Sequence, residues 1–405
     1  MNTRKVVIVS AVRTPFDKFG GVIKDISSIV LTEEVLKNVV ERINLPKNKV
    51  EEIFYGTTIH AEVAPYTNVP VRQSLLRAGF PVTTISMTVD RACCSSMTAL
   101  HLAYKAIKSG EISIAIAAGA ENLSNVPYLV NGLRWGKRLG HVMMVDQLDA
   151  VGYAGWNPVS MDASEVALEY GVTREDQDKW ALQSQQRYAR AKEEGKFRDE
   201  IVPYVIKDPK GNTIILSEDQ SPRPDTTLEK LAKLPTVYNT PTVTAGNAPG
   251  LSAGAAAIVV MSEEKAKELA LQPLAYVCDV ASVADEARKI PCVPAGAIRK
   301  LIARNNMTLD DLDLIEINEA FAAMPLVSTK ILADGDSKKL ARLRNITNVN
   351  GGAVALGHPM GASGARIIMT LMYELRRRGG GIGIAAICGG LAQGDGVMIE
   401  CRKKV

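Results

Sequence analysis

The sequence predicts an α/β protein in which strands and helices alternate and stack in layers. Two stretches of the chain carry this alternation, residues 6–118 and residues 255–400. Within the first stretch, the run from Ile112 to Ala118 is apolar except for Ser113, which suits a central strand covered on both faces. Between the two stretches lies a loop-rich segment, residues 122–244, that contains all three tryptophans. We interpret this segment as an insertion or a lid.

The order of the elements follows from the hydrophobic pattern of each half. In the first half we predict strands at 6–10, 53–58 and 85–89 and helices at 31–45 and 97–107, the second ending at Gly110. In the second half we predict strands at 255–261, 314–317, 382–387 and 397–400 and a helix at 362–378. The last two strands are expected to join through a turn at Asp395-Gly396. The loop-rich segment holds one clear helix, which begins at Thr173 with a capping-box-like signal. Two α/β halves around an insertion indicate an internal duplication.

Composition and charge exclude several classes of protein. The 48 Lys and Arg against 44 Asp and Glu give a net charge of +4, which is too small a surplus for nucleic-acid binding. The six cysteines form no C-x-x-C pair and occur with only four histidines, so we expect no metal site and a reducing, cytoplasmic compartment. No apolar run reaches about 18 residues, so we also expect no membrane span.

Cys93 is the first candidate for chemistry, because it follows the strand 85–89 and opens a helix. Unpaired backbone N–H groups and the positive end of the helix dipole favour a thiolate at such a position. The small neighbours Cys94, Ser95 and Ser96 would let a substrate approach closely. A nucleophile and a buried structural cysteine both fit this position.

Three more polar side chains lie at strand ends or in glycine-rich turns. Cys388 follows the strand 382–387 and precedes two glycines, a pattern that fits an oxyanion hole or a tight hairpin. His358 lies in a glycine-rich loop before a helix; a phosphate cradle would need the G-x-x-x-x-G-K-[ST] spacing, which is absent, so we interpret His358 as a positioned base. Asn318 ends the strand 314–317, where it can hold a water or a carbonyl oxygen or simply form an Asx turn.

Together these segments resemble the thiolase family over nearly the whole chain. The matching segments are residues 10–16, 89–97, 117–124, 244–248, 318–321, 348–364 and 388–390. The resemblance implies the thiolase fold, five layers in the order α-β-α-β-α, built from two similar halves and an inserted loop domain. The expected domains are 1–121 with 245–272 for the N-terminal half, 122–244 for the loop domain and 273–405 for the C-terminal half.

The resemblance also implies an acyltransferase that exchanges a 3-ketoacyl-CoA and CoA with acetyl-CoA and an acyl-CoA. Cys93 would be the nucleophile, His358 would take its proton, and Cys388 would be the general acid and base. His358 and a water held by Asn318 would stabilise one oxyanion, and the N–H groups of Cys93 and Gly390 would stabilise the other. Ping-pong kinetics should follow, with no metal and no prosthetic group. A thiolate nucleophile and a thiol acid in one site would need environments that push their pKa values apart.

CoA and its thioesters are the implied substrates. Residues 221–229 resemble the loop-domain segment that approaches the CoA nucleotide, and Arg223 is the candidate for its phosphates, although a solvated loop charge fits as well. Ala245 and Phe321 would line the pantetheine channel. We further expect a homo-oligomer, dimer or tetramer, that acts in fatty acid metabolism.

Some positions depart from the family pattern. They are Asp90 in place of Asn, Ser96 in place of Gly, Pro249 in place of Ser, Ser252-Ala253 in place of Asn-Asp and Pro158-Val159-Ser160 in place of His-Met-Gly. The last of these replaces a segment that shapes the acyl pocket in acetoacetyl-CoA thiolases, and Pro249 lacks a hydroxyl that contacts pantetheine. We therefore expect an acyl pocket unlike that of a standard acetoacetyl-CoA thiolase.

Three other functions fit parts of this pattern. One is an acetoacetyl-CoA-specific thiolase. A second is a decarboxylating ketoacyl synthase, which needs one Cys with two His, or Cys-His-Asn, so that Cys388 argues against it. The third is a non-catalytic thiolase-like subunit or lipid carrier, and the presence of Cys93, His358 and Cys388 together argues against that.

Overall fold

The computed structural model describes residues 4–149, 152–207 and 210–403. The strands are β1 (Val6–Arg13), β2 (Asp17–Lys18), β3 (Glu52–Gly56), β4 (Ile85–Val89), β5 (Ile114–Asn122), β6 (Tyr128–Leu129), β7 (Val145–Asp146), β8 (Tyr204–Lys207), β9 (Thr213–Leu216), β10 (Ser252–Ser262), β11 (Ala275–Ala284), β12 (Leu314–Ile317), β13 (Gly381–Gly389) and β14 (Gln393–Cys401). The α-helices are α1 (Ser28–Glu41), α2 (Pro70–Arg77), α3 (Ser95–Ser109), α4 (Val159–Glu169), α5 (Arg174–Glu193), α6 (Leu228–Ala232), α7 (Glu263–Glu268), α8 (Val293–Arg304), α9 (Ala323–Ala333), α10 (Ser337–Ile346), α11 (Ala353–Leu356) and α12 (Met360–Arg377). The expected chain ends of the outer domains, residues 1 and 405, lie outside the described residues.

The two halves of the chain have the same strand topology. The N-terminal half has the spatial order β4-β3-β5-β10-β1, and the C-terminal half has the order β12-β13-β14-β11. Four strands of one half correspond, in chain order, to four strands of the other: β1, β3, β5 and β10 to β11, β12, β13 and β14. In each half, the second strand of the set pairs with the third, the third with the fourth, and the fourth with the first. The halves join where β1 pairs antiparallel with β11. The prediction of an internal duplication is therefore confirmed at the level of topology.

Helices separate the two halves and cover their outer faces. Helices α3 and α12 pack against each other and against strands of both halves, and their side chains belong to one central core. A second core lies under α1 and α2 on the N-terminal half, and a third lies under α8 and α9 on the C-terminal half. This gives five layers in the order α-β-α-β-α, as predicted.

Helix α12 is buried on nearly all sides because it lies in the middle layer. Every residue from Gly361 to Leu375 is buried. Its first turns need glycine, since a Cβ at Gly364 would lie 2.6 Å from the backbone nitrogen of Met97 on α3. The close approach of these two helix starts brings Cys93, just before α3, next to His358, just before α12.

Most predicted elements occur within a few residues of their expected bounds, but one turn was wrong. Helix α3 ends at Gly110, which has a left-handed φ of 86°, and α5 begins with the Thr173 capping box. The predicted turn at Asp395-Gly396 instead lies inside β14, and the hairpin closes through Gly390–Ala392. Asp395 is buried because it accepts hydrogen bonds from Thr98 and Arg91, which hold it in the strand.

A buried arginine ties the loop-rich segment to the layered body. Arg13 on β1 donates from Nε to Glu200 Oε1 (2.8 Å) and from Nη1 to Asp219 Oδ1 (2.6 Å). Tyr188 on α5 also donates to Asp219. Because Arg13, Glu200 and Asp219 are paired and hydrogen-bonded, they hold the segment that precedes Arg223 against the layered body of the protein. Among the described residues, no helix is both long and apolar enough to cross a membrane.

Candidate active site

Cys93 lies in a tight turn between β4 and α3. The turn requires a left-handed φ of 47° at Ala92, and the Ser95 hydroxyl fixes it by accepting from the Arg91 N–H (2.8 Å) and donating to the Ala92 carbonyl (2.6 Å). The next side chain, Cys94, is buried and its Sγ lies 3.4 Å from the Ile387 carbonyl. Cys93 itself keeps some solvent exposure. The turn therefore presents the Cys93 thiol while Cys94 anchors it.

His358 lies directly against Cys93. Its Nε2 is 3.1 Å from Cys93 Sγ, and its Nδ1 is 2.6 Å from Ser363 Oγ. The Ser363 hydroxyl donates to the Pro359 carbonyl (2.9 Å), so its oxygen is left to accept a hydrogen bond from Nδ1–H. The assigned tautomer of the neutral ring therefore carries its proton on Nδ1, and the Nε2 lone pair faces the thiol.

Asn318 completes one side of the site. It follows β12, and its backbone N–H donates to the Ala386 carbonyl on β13 (3.0 Å), which keeps it in line with that strand. Its side-chain Nδ2 is 3.5 Å from His358 Nε2. The residue is fully buried, so its amide has little freedom to exchange partners with solvent.

Cys388 and Gly390 lie on the other side, at the end of β13. Cys388 is buried, and the next residue packs so closely on the Cys93 turn that a Cβ at Gly389 would lie 2.7 Å from the Arg91 carbonyl oxygen. A Cβ at Gly390 would lie 2.0 Å from the hydroxyl of Tyr153, which comes from the loop-rich segment. The structure therefore brings Cys93, His358, Asn318, Cys388 and Gly390 to one place, where four segments meet at the ends of β12 and β13 and at the starts of α3 and α12.

Burial keeps the reacting groups neutral in the free protein. It raises the pKa of Cys93, with a smaller contribution from Cys388, and it raises the pKa of Cys388 to about 12. Burial, followed by the positive charge of Arg366, lowers the pKa of His358 to about 3. At Cys93, burial acts against the helix terminus that favours a thiolate, and it raises the pKa of both thiols. The two thiols differ in that the His358 acceptor nitrogen contacts Cys93.

Comparison with known proteins identifies the family of the chain. Family models described as the thiolase N-terminal domain and the thiolase C-terminal domain match residues 6–264 and 271–401. The chain belongs to the thiolase family. An acetyl-CoA acetyltransferase of Chromobacterium violaceum is 40% identical to it over 98% of this chain and 99% of its own length. A probable acetyl-CoA acyltransferase of Staphylococcus aureus is 38% identical over 95% of this chain and 98% of its own.

Solved structures of thiolases show the same fold. Human mitochondrial 3-ketoacyl-CoA thiolase superposes with a TM-score of 0.93 at 35% identity, covering 99% of this chain and 100% of its own. The acetyl-CoA acetyltransferase of Bacillus anthracis superposes with a TM-score of 0.92 at 39% identity, covering 98% and 99%. A structure of the human enzyme in complex with CoA matches as well, with a TM-score of 0.91 at 34% identity, covering 98% of both chains.

In this thiolase, a buried glutamate connects the His358 loop to the loop-rich segment. Glu319, next to Asn318, accepts hydrogen bonds from Trp180 Nε1 (2.9 Å), Ser184 Oγ (2.8 Å) and the Val354 N–H (3.0 Å). Two of these donors lie on α5 and the third lies four residues before His358. The carboxylate therefore fixes the loop that carries the base relative to the segment that covers the site.

The three residues expected at the CoA channel lie near one another in this thiolase. Arg223 Nη1 donates to the Ala245 carbonyl (3.2 Å), and both residues are exposed. Phe321 is partly buried, and the next residue, Ala322, donates its N–H to the Asn247 carbonyl (2.9 Å). The Arg223, Ala245 and Phe321 segments are thus joined by hydrogen bonds. Within the described residues, no group of three or more His, Cys, Asp or Glu could hold a metal ion.

Sequence reasoning missed four side chains that shape the site. Ser363 orients the His358 ring, and Ser252 Oγ accepts from the His358 N–H (3.2 Å). Arg366 contacts Asn318, and Tyr153 covers Gly390. The signal for Arg366 was available, because a charge within the inward face of an apolar helix needs a reason. The contacts of Ser252 and Tyr153 join segments that are distant in sequence, and no local pattern marks them.

Proposed function

We propose that this thiolase catalyses the reversible CoA-dependent cleavage of a 3-ketoacyl-CoA to acetyl-CoA and an acyl-CoA. The observation that carries the proposal is the 3.1 Å contact between Cys93 Sγ and the acceptor nitrogen of His358, beside the buried thiol of Cys388. The names of the relatives, acetyl-CoA acetyltransferase and 3-ketoacyl-CoA thiolase, support the same reaction.

In the first half-reaction, His358 Nε2 takes the Cys93 proton as Sγ attacks the 3-keto carbon. The resulting alkoxide is stabilised by the N–H groups of Cys93 and Gly390, and the enolate oxygen that forms next is stabilised by the new Nε2–H of His358 and by a water held on Asn318 Nδ2. When the bond between the substrate's second and third carbons breaks, the electron pair forms the acetyl-CoA enolate, which takes a proton from Cys388. The acyl group remains on Cys93 as a thioester, and acetyl-CoA leaves.

In the second half-reaction, Cys388 is a thiolate and removes the proton of an incoming CoA thiol. The CoA sulfur attacks the acyl carbon on Cys93, and the N–H groups of Cys93 and Gly390 stabilise the oxyanion. Collapse breaks the bond to Cys93 and releases acyl-CoA, and His358 returns its proton to Cys93. The neutral free site fits this cycle, since the base needs an empty Nε2 and the acid needs a proton.

The acyl specificity is proposed to differ from that of a standard acetoacetyl-CoA thiolase. Residues 158–160 stand at the start of α4, where Pro158 precedes the helix and Ser160 is buried. Pro158 and Val159 therefore stand where we expect the larger His and Met, and Ser160 adds a hydroxyl where we expect Gly. The rival substrate is acetoacetyl-CoA, which the names of several relatives favour.

Arg223, Ala245 and Phe321 are proposed to bind CoA. The exposed Arg223 guanidinium offers donors for phosphate oxygens, and the hydrogen bond to the Ala245 carbonyl holds it beside the channel. We also propose the three-part division into two thiolase halves and a loop domain, a cytoplasmic location and a role in fatty acid metabolism. A homo-oligomer, dimer or tetramer, is favoured by the apolar side chains exposed in residues 128–145, where Trp135 is 92% exposed.

The experiment is a thiolysis assay with a panel of 3-ketoacyl-CoAs of short, long and aromatic acyl type. The wild type should cleave at least one of them, and Cys93→Ala should cleave none at a measurable rate. A non-catalytic subunit would give no turnover in the wild type, and turnover that survives in Cys93→Ala would overturn the assignment of the nucleophile. A strong preference for acetoacetyl-CoA would refute the inference about the acyl pocket.

A further inference from the structure

Arg366 is a buried cation within α12, whose residues from Gly361 to Leu375 are all buried. It lies on α12 and is 1% exposed. Its Nη2 is 3.5 Å from Asn318 Oδ1, and its Nη1 is 3.5 Å from Glu316 Oε2, two residues earlier on β12. The guanidinium therefore reaches the strand that ends at the reacting site.

This contact distinguishes the two ends of the Asn318 amide. An amide oxygen only accepts hydrogen bonds, whereas the NH2 group only donates. With Oδ1 facing Arg366, Nδ2 faces His358 Nε2, 3.5 Å away. A flipped amide would place Oδ1 against the Nε2 lone pair and NH2 against the guanidinium, so that two acceptors and two donors would oppose each other.

We propose that Arg366 is a positioning residue that holds the Asn318 amide with its NH2 towards the reacting site. A water that accepts a hydrogen bond from this NH2 keeps both of its own hydrogens free to donate to an oxyanion. The inference rests on the proposed thiolase reaction for its catalytic meaning, and the orientation itself is a property of the free protein.

The pairing of Arg366 is incomplete for a buried ion. Its Nε and Nη1 and the Glu316 Oε2 have no hydrogen-bond partner, although Nη1 and Oε2 lie close enough for a Coulomb attraction. The attraction between Arg366 and Glu316 offsets little of the free energy that their desolvation costs, so stability alone does not explain the pair. Its remaining contact, at Asn318 Oδ1, points to the reacting site.

The charge of Arg366 also acts on the base. It lowers the pKa of His358, after the larger effect of burial. The groups that face His358 are the Cys93 thiol, Asn318 and Ser363. The charged groups that act on Arg366 are Glu316, Glu200, Arg13 and Glu319, of which the arginine opposes its positive charge. Arg366 therefore has two separable effects. Its planar guanidinium orients the Asn318 amide, and its charge lowers the pKa of His358.

A double-mutant cycle between Arg366 and Asn318 separates positioning from a structural role. Arg366→Lys keeps the charge and loses the planar guanidinium, so it and Asn318→Ala should each lower kcat for thiolysis by about 10-fold to 100-fold, at or below the effect of one lost direct oxyanion donor, because the donor here is a water held by the amide. In the Asn318→Ala background, Arg366→Lys should lower kcat by less than about threefold, because its target is already absent. Multiplicative losses in the double variant would overturn the proposal. Arg187→Lys, on α5, is the matched control for loss of a guanidinium that binds backbone carbonyls.

Two further measurements keep the proposal testable if Arg366→Lys does not fold. Asn318→Asp keeps an oxygen towards Arg366 but has no NH2, so its kcat should be as low as that of Asn318→Ala; a value within about threefold of wild type would overturn the orientation. The second is the pH dependence of Cys93 alkylation by iodoacetamide, read by peptide mass. Its acid inflexion should move to higher pH in Arg366→Gln, and an unmoved inflexion would refute the charge effect. Alkylation needs no turnover, so it separates failure of this inference from failure of the proposed reaction.

Discussion

Replacing Ser363 by alanine tests whether the neutral His358 ring is held in the tautomer that can accept the Cys93 proton. In the wild type, Ser363 Oγ is 2.6 Å from Nδ1 and gives its own hydrogen to the Pro359 carbonyl. Alanine removes the acceptor, so Nδ1–H is left without a partner in a buried site. The ring can escape this cost by moving its proton to Nε2, where it can no longer accept the proton of the thiol.

The size of the effect follows from the cost of a buried donor without a partner. That cost is about 1–3 kcal/mol, which corresponds to a loss of about 5-fold to 150-fold in the rate of the step that needs the Nδ1–H tautomer. The assay is the rate of acyl transfer from a 3-ketoacyl-CoA to Cys93, followed in a single turnover without added CoA. We expect a lower rate with little change in substrate binding.

The matched control is Ser328→Ala. Ser328 is equally buried and donates to the Pro291 carbonyl (2.8 Å), but it lies on α9 and does not contact the site. Both variants lose a buried hydrogen bond to a proline carbonyl, and only Ser363→Ala also removes the acceptor of the His358 Nδ1–H. An acyl-transfer rate in Ser363→Ala equal to that of the control would refute the tautomer argument.

Three other predictions follow from the site. Gly390→Ala should abolish turnover because its methyl group would lie 2.0 Å from the Tyr153 hydroxyl, and Gly390→Ala with Tyr153→Ala should recover part of kcat; no recovery would contradict a steric cause. Arg223→Ala should raise KM for CoA at least about fivefold with kcat nearly unchanged, the result expected for a phosphate contact of about 1 kcal/mol or more; an unchanged KM would make Arg223 a solvated charge. The pKa of His358 in the folded protein, about 3, lies below the value of 6.5 for an unperturbed histidine. The neutral ring therefore makes its full contribution to the free energy of unfolding above pH 6.5, and this contribution falls as the pH drops towards 3. Between pH 6.5 and pH 3, the free energy of unfolding measured in urea should therefore fall less for His358→Asn than for the wild type, and equal falls would contradict the lowered pKa of His358.

Much of the fold could be predicted from local pattern. Five of the seven residues of the run 112–118 lie within β5, and the periodic apolar residues of α12 are all buried, because central elements have apolar neighbours on both sides. The turn at Asp395-Gly396 was wrong for a reason that is not local. Asp-Gly favours a hairpin turn, but Asp395 has hydrogen-bond partners on α3 and in the Cys93 turn, and these keep it in the strand.

Most of the site residues that could be predicted lie at the ends of strands. Cys93, Asn318 and Cys388 follow or end strands. Strands β12 and β13 are neighbours, and the packing of α3 against α12 brings the Cys93 turn to their ends. The protonation of the thiols was not predictable in the same way. A helix start favours thiolate, and only the packed structure shows that burial has the larger effect on the pKa of Cys93. The tautomer of His358 likewise depends on the Ser363 hydroxyl donating its hydrogen to the Pro359 carbonyl.

The central claim is that Cys93 is acylated during turnover. The most direct measurement is peptide mass analysis after a 3-ketoacyl-CoA is mixed with the protein in the absence of free CoA and quenched with acid. The account predicts the acyl group on Cys93, its loss when CoA is added, and no adduct in Cys93→Ala. Turnover without any adduct on Cys93, or an acyl group found on Cys388 alone, would contradict it.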